Sequence, residues 1–314
     1  MQKKCTVQKT VKQPVIGIAG LGMVGTPLLR YFVEYKGYMR GKNLFCFDTD
    51  PSKGYNDDLA KAVIIFICVP TPSREDGSCN TNIVESVVAK YRDPKKIFVI
   101  KSTVVPGTSQ SIADKYNVKI LFNPEFLTEA NAWNDFLCPD RQIIGHTDDA
   151  FSCVNVVRAL LPQPVGEAGM AVSQVIIHAT EAELAKYAAN VFGSLKVVFG
   201  NVIADYCEAQ GANYDVVKKI IASDKRIGPA WLEIYHGNYR GYGGYCFPKD
   251  TNAAIISAKE ALRKIPFENA QYQTLAYGIA FLEAMRDYNR ALLQSQGLDE
   301  KKVSAHDHEL AKKL

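Results

Sequence analysis

The first half of the chain alternates short, β-branched apolar runs with amphipathic stretches, and this alternation constrains the fold most. Short apolar runs are typical of strands buried on both faces, and amphipathic segments between them are typical of helices that cover a sheet. The predicted strands lie at residues 15–19, 44–48, 63–69, 97–102 and 120–123, with further candidates at 142–145 and 172–177. The pattern therefore predicts βαβ units and a parallel sheet covered by helices.

The second half has helical periodicity instead. From His178 to about Ser223 apolar residues recur three and four positions apart, which predicts a long, largely apolar helix with a stop at Gly211. A glycine- and tyrosine-rich loop, HGNYRGYGGYCFPKD, precedes two more helical segments at 251–264 and 269–294. We therefore expect a mostly helical domain with a long central helix to follow the α/β domain.

Composition excludes several classes of partner. The 37 basic and 33 acidic residues leave a formal charge of +4, and no basic stretch is interleaved with aromatic residues, so nucleic acid is not expected as a partner. The basic N-terminal segment lacks the apolar core of a signal peptide, and the longest apolar run, 62–70, is too short to span a bilayer, which predicts a cytoplasmic protein without membrane contact. The eight cysteines show no CxxC spacing, which predicts neither a disulfide framework nor a metal site.

A glycine motif follows the first predicted strand. GIAGLGMVG places Gly20, Gly22 and Gly25 in GxGxxG spacing before an amphipathic helix predicted at 26–36. Such glycines permit a tight turn and close approach of a pyrophosphate to the helix N-terminus. Asp48 ends the next strand, where a carboxylate accepts both ribose hydroxyls of a dinucleotide. Because an acid repels a 2′-phosphate and the next four residues include no Arg, the motif predicts NAD in a Rossmann-like, doubly wound sheet.

Six motifs then lie in order along the chain: ICVPTP (67–72), STVVPGT (102–108), NPEFLTEA (123–130), PDRQIIG (139–145), EAELAKYAAN (181–190) and GYGGYCFPKD (241–250). Together they resemble the UDP-glucose/GDP-mannose dehydrogenase family over residues 15–289. The resemblance implies a four-electron, NAD-dependent oxidation of a nucleotide sugar through a cysteine thiohemiacetal and thioester, with UDP-glucose the first choice of substrate. It also implies a homodimer that assembles through the central helix, for which intrachain core packing is the rival explanation.

On this basis we predict four parts. They are an N-terminal extension at 1–13, an NAD-binding domain at 14–177, a helical central and dimerisation domain with the cysteine loop at 178–295, and a charged tail at 296–314. We expect the tail to be frayed or disordered from Gly297 onward.

Cys246 is the predicted nucleophile. It lies in a glycine-rich loop from which a sulfur atom can reach a substrate, and the nearby Lys249 favours the thiolate. The alternative is a buried packing cysteine, which suits Cys46, Cys68 and Cys207 better because they lie on predicted strands or on an apolar helix face.

Lys186 and Asn190 share one face of the central helix. A solvated face would make them unremarkable, but their neighbours are mostly apolar, where a charge is expensive unless it is used. The resemblance assigns the pair to the substrate oxygen and to the oxyanions that form there.

The resemblance implies three overlapping sets of site residues, although each acid alone would equally suit a helix cap. The expected catalytic residues are Cys246, Lys186, Asn190, Asp250, Thr103 and Glu125. Those expected to contact NAD are Gly20, Gly22, Met23, Val24, Gly25, Asp48, Val69, Pro70, Thr71, Ser102, Thr103 and Glu129. Those expected to contact the sugar nucleotide are Glu125, Phe126, Leu127, Glu129, Lys186, Asn190, Tyr239, Arg240, Gly243 and Cys246. For Tyr239 and Arg240, solvated loop residues are an equal alternative.

Several alternatives stay open. Family members usually continue into a third α/β domain, whereas this sequence has about 64 residues after Asp250. This difference leaves room for a non-catalytic NAD-binding protein. GDP-mannose and N-acetylated UDP-hexosamines are alternative substrates. A β-hydroxyacid dehydrogenase shares the Lys-x-x-x-Asn pattern, but it performs one oxidation and needs no cysteine.

Overall fold

The computed structural model describes residues 13–128, 131–164 and 173–304. The chain forms two compact units. The first unit comprises Met1–Pro70, Val84–Ser102 and Ser109–Ala179, and the second comprises Thr71–Ile83, Thr103–Thr108 and Thr180–Leu314. The second unit thus includes two short segments that follow strands of the first in sequence.

The first unit is built on a seven-stranded sheet, and all seven predicted apolar runs form its strands. They are β1 (Ile16–Ala19), β2 (Leu44–Phe47), β3 (Ile64–Ile67), β4 (Ile97–Ile100), β5 (Lys119–Phe122), β6 (Arg141–His146) and β7 (Ser173–His178). The core strands are buried on both faces, as their continuous apolar sequences predict.

The strand order is β2-β1-β3-β4-β5-β6-β7. Because β2 and β3 lie on opposite sides of β1, the chain leaves β1 in one direction and later passes it in the other, as in a doubly wound sheet. The helices of this unit are α1 (Gly25–Glu34), α2 (Asn82–Tyr91), α3 (Thr108–Tyr116), α4 (Ala132–Leu137) and α5 (Val154–Leu160). The link from β2 to β3 contains two 3₁₀ turns, Pro51–Lys53 and Leu59–Lys61, and no α-helix.

One pair of strands departs from the predicted parallel arrangement. β5 and β6 are antiparallel, whereas the other strand pairs described in this sheet are parallel. Among the described residues of the connection between β5 and β6, the one α-helix is the six-residue α4. A parallel pair needs a crossover that carries the chain back to the opposite edge of the sheet, whereas here the chain turns and β6 runs back beside β5.

The second unit is mostly helical, as predicted. It contains α6 (Ala179–Ala209), α7 (Tyr214–Ala222), α8 (Phe247–Leu262), α9 (Ala270–Gln294) and α10 (Glu300–Val303), with a hairpin of β8 (Tyr235–His236) and β9 (Tyr239–Arg240). Among the described residues, α6 is the one helix that by length and composition could cross a membrane. However, 56% of its most apolar stretch is buried within the chain, and core helices of globular proteins pass the same test.

The prediction of a frayed or disordered tail from residue 297 is wrong for residues 297–304. Asp299 caps α10 by accepting a hydrogen bond from the Lys302 amide, and Ser304 is buried. Glu300 pairs with Arg290 of α9 at 2.9 Å. The charged residues that suggested disorder therefore form local caps and ion pairs. Residues 305–314 of the predicted tail and residues 1–12 of the predicted extension lie outside the described residues.

The glycine turn after β1 gives a test of the fold. A Cβ on Gly25 would overlap the carbonyl oxygen of Gly20, whereas a Cβ on Gly22 would have no atom within 4 Å. We expect Gly25→Ala to lower the free energy of unfolding by about 1–3 kcal/mol, because the turn must open to accept the methyl group. The matched variant Gly22→Ala should stay within about 0.5 kcal/mol of the parent. Urea unfolding of the unliganded protein measures both, and equal losses would contradict the packing described here.

Candidate active site

The predicted glycine turn lies at the carboxyl end of β1, where the strand order reverses. Gly20 has a φ of +89°, and a Cβ there would come within 2.7 Å of the Cys68 carbonyl oxygen at the end of β3. Gly22 faces open space. In doubly wound sheets ligands bind at this edge and at this reversal, so the geometry fits a pyrophosphate close to the N-terminus of α1.

Asp48 lies beside the same turn. Its carboxylate accepts hydrogen bonds from the amides of Leu21 (2.7 Å) and Asp50 (2.9 Å) and pairs with Lys53 at 3.0 Å. Burial raises the pKa of this carboxyl, but the two amides and the ammonium outweigh burial, so the pKa lies below its usual value. Asp48 is therefore ionised and oriented. Lys53 also donates to the Leu21 carbonyl. It was not among the predicted site residues, because it is the fifth residue after Asp48 and only the first four were considered.

Met23 and Val24 complete this turn. Both are half-buried, and Val24 packs against the core of the first unit. Apolar contacts with the core of the first unit therefore support the turn.

The motif loops after β3 and β4 are tied to each other. Within the first unit, Ser102 donates a hydrogen bond to the Val69 carbonyl at 2.6 Å. Within the second unit, Thr71 donates to the Thr103 carbonyl at 2.8 Å. The predicted cofactor residues of ICVPTP and STVVPGT thus form two pairs, and Pro70 lies between them in the sequence.

Glu125 belongs to a buried polar network of the first unit. It pairs with Lys101, whose ammonium also donates to the Asn123 side chain at 2.5 Å. Asn123 in turn donates to the Gln142 side chain (2.6 Å) and to the Ile143 carbonyl (2.8 Å). Lys101 and Asn123 were missed as functional candidates, although Lys101 directly precedes the motif STVVPGT and Asn123 begins the motif NPEFLTEA.

Phe126 and Leu127 follow Glu125. The Phe126 ring lies under the Arg141 guanidinium, with 3.8 Å between the guanidinium carbon and the ring centre. Leu127 packs against the core of the first unit. Glu129, which was predicted to contact both ligands, lies outside the described residues.

One face of α6 carries buried polar side chains. Lys186, Asn190, Ser194 and Asn201 are all buried and recur at helical spacing. Lys186 donates to Asn190 at 3.4 Å, and Asn190 donates to the Asp250 carboxylate at 2.5 Å. The structure therefore brings together three of the six residues that the resemblance implied to be catalytic.

Asp250 lies in the first turn of α8 and is fully buried. Besides Asn190, it pairs with the buried Lys249. Burial lowers the pKa of the Lys249 ammonium, but the adjacent Asp250 carboxylate outweighs burial, so the pKa is raised. Lys249 thus stays protonated and provides a fixed positive charge beside Asp250.

Cys246 precedes α8 as its N-cap residue, and its carbonyl accepts the Asp250 amide at 2.8 Å. The positive end of the helix dipole favours a thiolate at this position. Cys246 is half-buried, whereas Cys46, Cys68 and Cys207 are buried, as predicted. Burial raises the pKa of both the Cys46 and the Cys68 thiol to about 12, so these two thiols are unreactive near neutrality.

Two predicted substrate residues lie on the hairpin before the cysteine loop. Arg240 donates to the Asn201 side chain at 3.0 Å and to Asp205 at 2.6 Å. Its guanidinium is thereby held against α6, which favours a structural role. The half-buried Tyr239 lies against Gly243, since a Cβ on Gly243 would overlap the Tyr239 hydroxyl.

Two family models match the chain. Residues 35–161 match the UDP-glucose/GDP-mannose dehydrogenase family, NAD binding domain, and residues 180–274 match the central domain of the same family. Together they cover more than half of the chain.

Curated relatives show similarity over the same part of the chain. The UDP-glucose 6-dehydrogenase YwqF of Bacillus subtilis is 36% identical over 67% of this chain and 46% of its own length. The UDP-glucose 6-dehydrogenase of Pseudomonas aeruginosa is 35% identical over 70% of this chain and 51% of its own length. The chain thus spans about half the length of these relatives.

Solved structures share the fold. A UDP-glucose dehydrogenase from Pyrobaculum islandicum superposes with a TM-score of 0.69 at 25% identity, covering 92% of this chain and 72% of that one. A UDP-D-ManNAc dehydrogenase from Pyrococcus horikoshii gives 0.68 at 19% identity, covering 89% and 69%. With both family models matched in order, and NAD as the cofactor they indicate, the chain belongs to the UDP-glucose/GDP-mannose dehydrogenase family.

Proposed function

We propose that the chain oxidises a nucleotide sugar at C6 with NAD, converting UDP-glucose to UDP-glucuronate through a thioester on Cys246. One observation carries the proposal. The half-buried Cys246 caps a helix whose first turn places Asp250 in buried bonds with Asn190 and Lys249. A nucleophile beside an ordered set of donors and a carboxylate is the arrangement that covalent catalysis requires.

The choice of UDP-glucose rests on the relatives. The Bacillus and Pseudomonas proteins are both named UDP-glucose 6-dehydrogenase. Solved neighbours named for UDP-D-ManNAc and GDP-mannose share the fold at lower identity. These two sugars are therefore the alternatives to test beside UDP-glucose.

The first unit has the groups that hold NAD. The open space at Gly22 admits the pyrophosphate, and the ionised Asp48 accepts the ribose hydroxyls. When bound, NAD accepts one hydride in each of the two oxidations. Asp48 beside Lys53 favours NAD over NADP as long as the carboxylate is present to repel a 2′-phosphate.

In the first oxidation the C6 alcohol loses a proton and a hydride and becomes an aldehyde. We assign the proton to Lys186 or to a water molecule held by Asp250. Asn190 shares hydrogen bonds with Lys186 and Asp250, so it fixes the distance between these two side chains. The ion pair with Lys249 holds the Asp250 carboxylate in one place.

In the second oxidation the Cys246 thiolate adds to the aldehyde carbon and forms a thiohemiacetal. Loss of a second hydride leaves a thioester, and water then releases the carboxylate and regenerates the thiol. We assign Lys186 and Asn190 to the oxyanions formed in these steps. Thr103, Asp250 and Glu125 are proposed to orient the water. The Lys101 ion pair supports this role for Glu125, because it keeps that carboxyl in one orientation.

The face of α6 opposite its buried polar residues supports a homodimer. Leu184, Phe192, Phe199, Val202 and Tyr206 are exposed and lie three, four, seven or eight residues apart, so they form one apolar stripe. An exposed stripe of this kind on a long helix suits a symmetric contact with the same helix of a second copy.

A cytoplasmic location is part of the proposal, since the described cysteines are all free thiols.

The stoichiometry of the reaction tests the proposed function. The purified chain should form two NADH per UDP-glucose consumed, because one thioester intermediate links two hydride transfers. Cys246→Ala should lower turnover by at least about 10²-fold. Cys138→Ala, which removes the exposed cysteine of the first unit, is the matched control and should keep full turnover. One NADH per sugar would indicate a single oxidation, and NAD binding without NADH from any sugar would contradict catalysis by this chain.

Asp48 and Lys53 together predict a change in cofactor selectivity. Asp48→Asn should weaken NAD binding about tenfold or more, because it removes a charged acceptor for the ribose. The same change leaves Lys53 without its carboxylate partner. The affinity for NADP should therefore fall less than the affinity for NAD, or should rise. Asp58→Asn, an exposed cap of the next 3₁₀ turn, is the control. Calorimetric titration measures the affinity for each nucleotide. Equal losses of affinity for NAD and NADP would contradict the assignment of Asp48 to the ribose.

The apolar stripe predicts the oligomeric state. Light scattering after gel filtration should give the parent a mass about twice the 34.7 kDa of one chain. Phe192→Asp should give a monomer, because a charge in a buried apolar contact is costly. Phe151→Asp replaces an equally exposed phenylalanine of the first unit, with 62% against 57% exposure, and should leave the mass unchanged. A monomeric parent, or a dimeric Phe192→Asp variant, would contradict the proposed interface.

A further inference from the structure

The loop that carries Cys246 is held by residues beyond the region matched by the family. The central-domain match ends at residue 274, and Arg240, Tyr242 and Gly244 of the loop hydrogen-bond to side chains and backbone that come later in the chain. These later residues have no role in the proposed reaction. Their contacts with the loop are therefore a separate feature of the second unit.

The first support comes from α9. The fully buried Asn289 accepts the Tyr242 amide at 2.8 Å and donates to the Tyr242 carbonyl at 3.1 Å. A Cβ on Gly241 would come within 2.7 Å of the same Asn289 oxygen. Gln296 bonds in the same two-sided way to the amide and carbonyl of Arg240. The start of the loop is thus held at Arg240 and at Tyr242.

The second support comes from residues 299–304, which we call the strap. The Val303 carbonyl accepts the Gly244 amide at 2.7 Å. A Cβ on Gly243 would lie 2.8 Å from both the Cβ and the carbonyl oxygen of Val303, so the two backbones are in close contact. The strap therefore touches the loop two and three residues before Cys246.

The strap is itself anchored to α8 and α9. Glu300 pairs with Arg290, and Arg290 also donates to Asn252 of α8 at 3.2 Å. Asp299 caps the short helix inside the strap, and Ser304 at its end is buried. Arg290 thus connects the strap to the helix that Cys246 caps.

We infer that the strap positions Cys246. By fixing Gly243 and Gly244 it limits the motion of a loop that is otherwise rich in glycine, and so it keeps the sulfur at the N-terminus of α8. Glycine-rich loops lose much conformational entropy on ordering, so an added backbone bond and a close backbone contact matter more here than in a regular element. Val303, Glu300 and Arg290 are positioning residues in this inference, and none of them reacts.

The test measures the reactivity of Cys246 directly. The full chain is the reference, a chain that stops after Ser304 is the control that keeps every contact described above, and a chain that stops after Leu298 lacks the strap. Each is treated with iodoacetamide, and mass spectrometry follows carbamidomethylation of Cys246 and of the exposed Cys138 in the first unit as an internal standard. Without the strap, the Cys246 rate relative to Cys138 should rise at least about threefold, because the loop opens more often.

A second variant keeps the test valid if the shorter chain is unstable. Glu300→Gln keeps the strap and removes its ion pair with Arg290, so it should raise the same ratio by a smaller factor. Modification of the buried Cys207 reports on unfolding of the second unit and should stay at background in all variants. A ratio that is unchanged or lower in both variants, with Cys207 protected, would overturn the inference.

The consequence for turnover rests on the proposed function, whereas the thiol measurement does not. If both hold, loss of the strap should lower kcat about tenfold with a smaller change in KM, since misplacement of a reacting group affects the chemical step. Altered thiol reactivity in a chain without dehydrogenase activity would support the inference about the strap and contradict the proposed function. Unaltered thiol reactivity in an active enzyme would contradict the inference and support the proposed function.

Discussion

The second unit depends on one buried carboxylate. Asp250 is fully buried, and an isolated ionised carboxylate is too costly to bury without partners. Asn190 of α6 and Lys249 supply those partners, so the charge is stable only where α6 and the first turn of α8 lie side by side. Removing one partner of a buried ion pair typically costs about 3–5 kcal/mol. The requirement to satisfy Asp250 therefore also fixes where α8 begins, and with it the position of Cys246.

The helix α6, which supplies Asn190, has two unlike faces. Asn190 and Asn201 face inward, where they contact Asp250 and Arg240, and apolar residues are buried on the same side. Phe192 and Phe199 face outward. Exposed apolar residues on the outer side of a helix whose inner side already packs in the core are the observation that supports the proposed contact with a second copy.

Much of this was accessible from the sequence because the signals are local. Buried strands have an apolar run of fixed length, and the turn at Gly20 needs glycines at set spacing, so both were predicted correctly. The group of Lys186, Asn190 and Asp250 was predicted through motifs of a known family, and the structure adds the bonds between them.

The features that were missed depend on contacts distant in sequence. The antiparallel β6 follows from a short connection whose length alone does not reveal its direction. Lys101 precedes one of the motifs, and nothing in the sequence distinguishes it from a surface lysine, whereas the structure buries it against Glu125. The segment at 299–304 is rich in charge, which by composition is typical of disorder. Its order comes from Arg290 and from the backbone of Gly244, and composition carries no information about either partner.

The contacts with the loop before Cys246 have one physical cause, which is the glycine content of that loop. The loop before Cys246 contains four glycines between Gly237 and Gly244, so its own side chains do little to order it. Order must then come from outside, through Asn289 on one side and Val303 on the other. A backbone without bulky side chains can approach a substrate closely, and for the same reason it needs neighbours that hold it. The contacts made by residues beyond 274 are thus the counterpart of the glycines in the loop, and the two features are best understood as one arrangement for presenting a single sulfur atom.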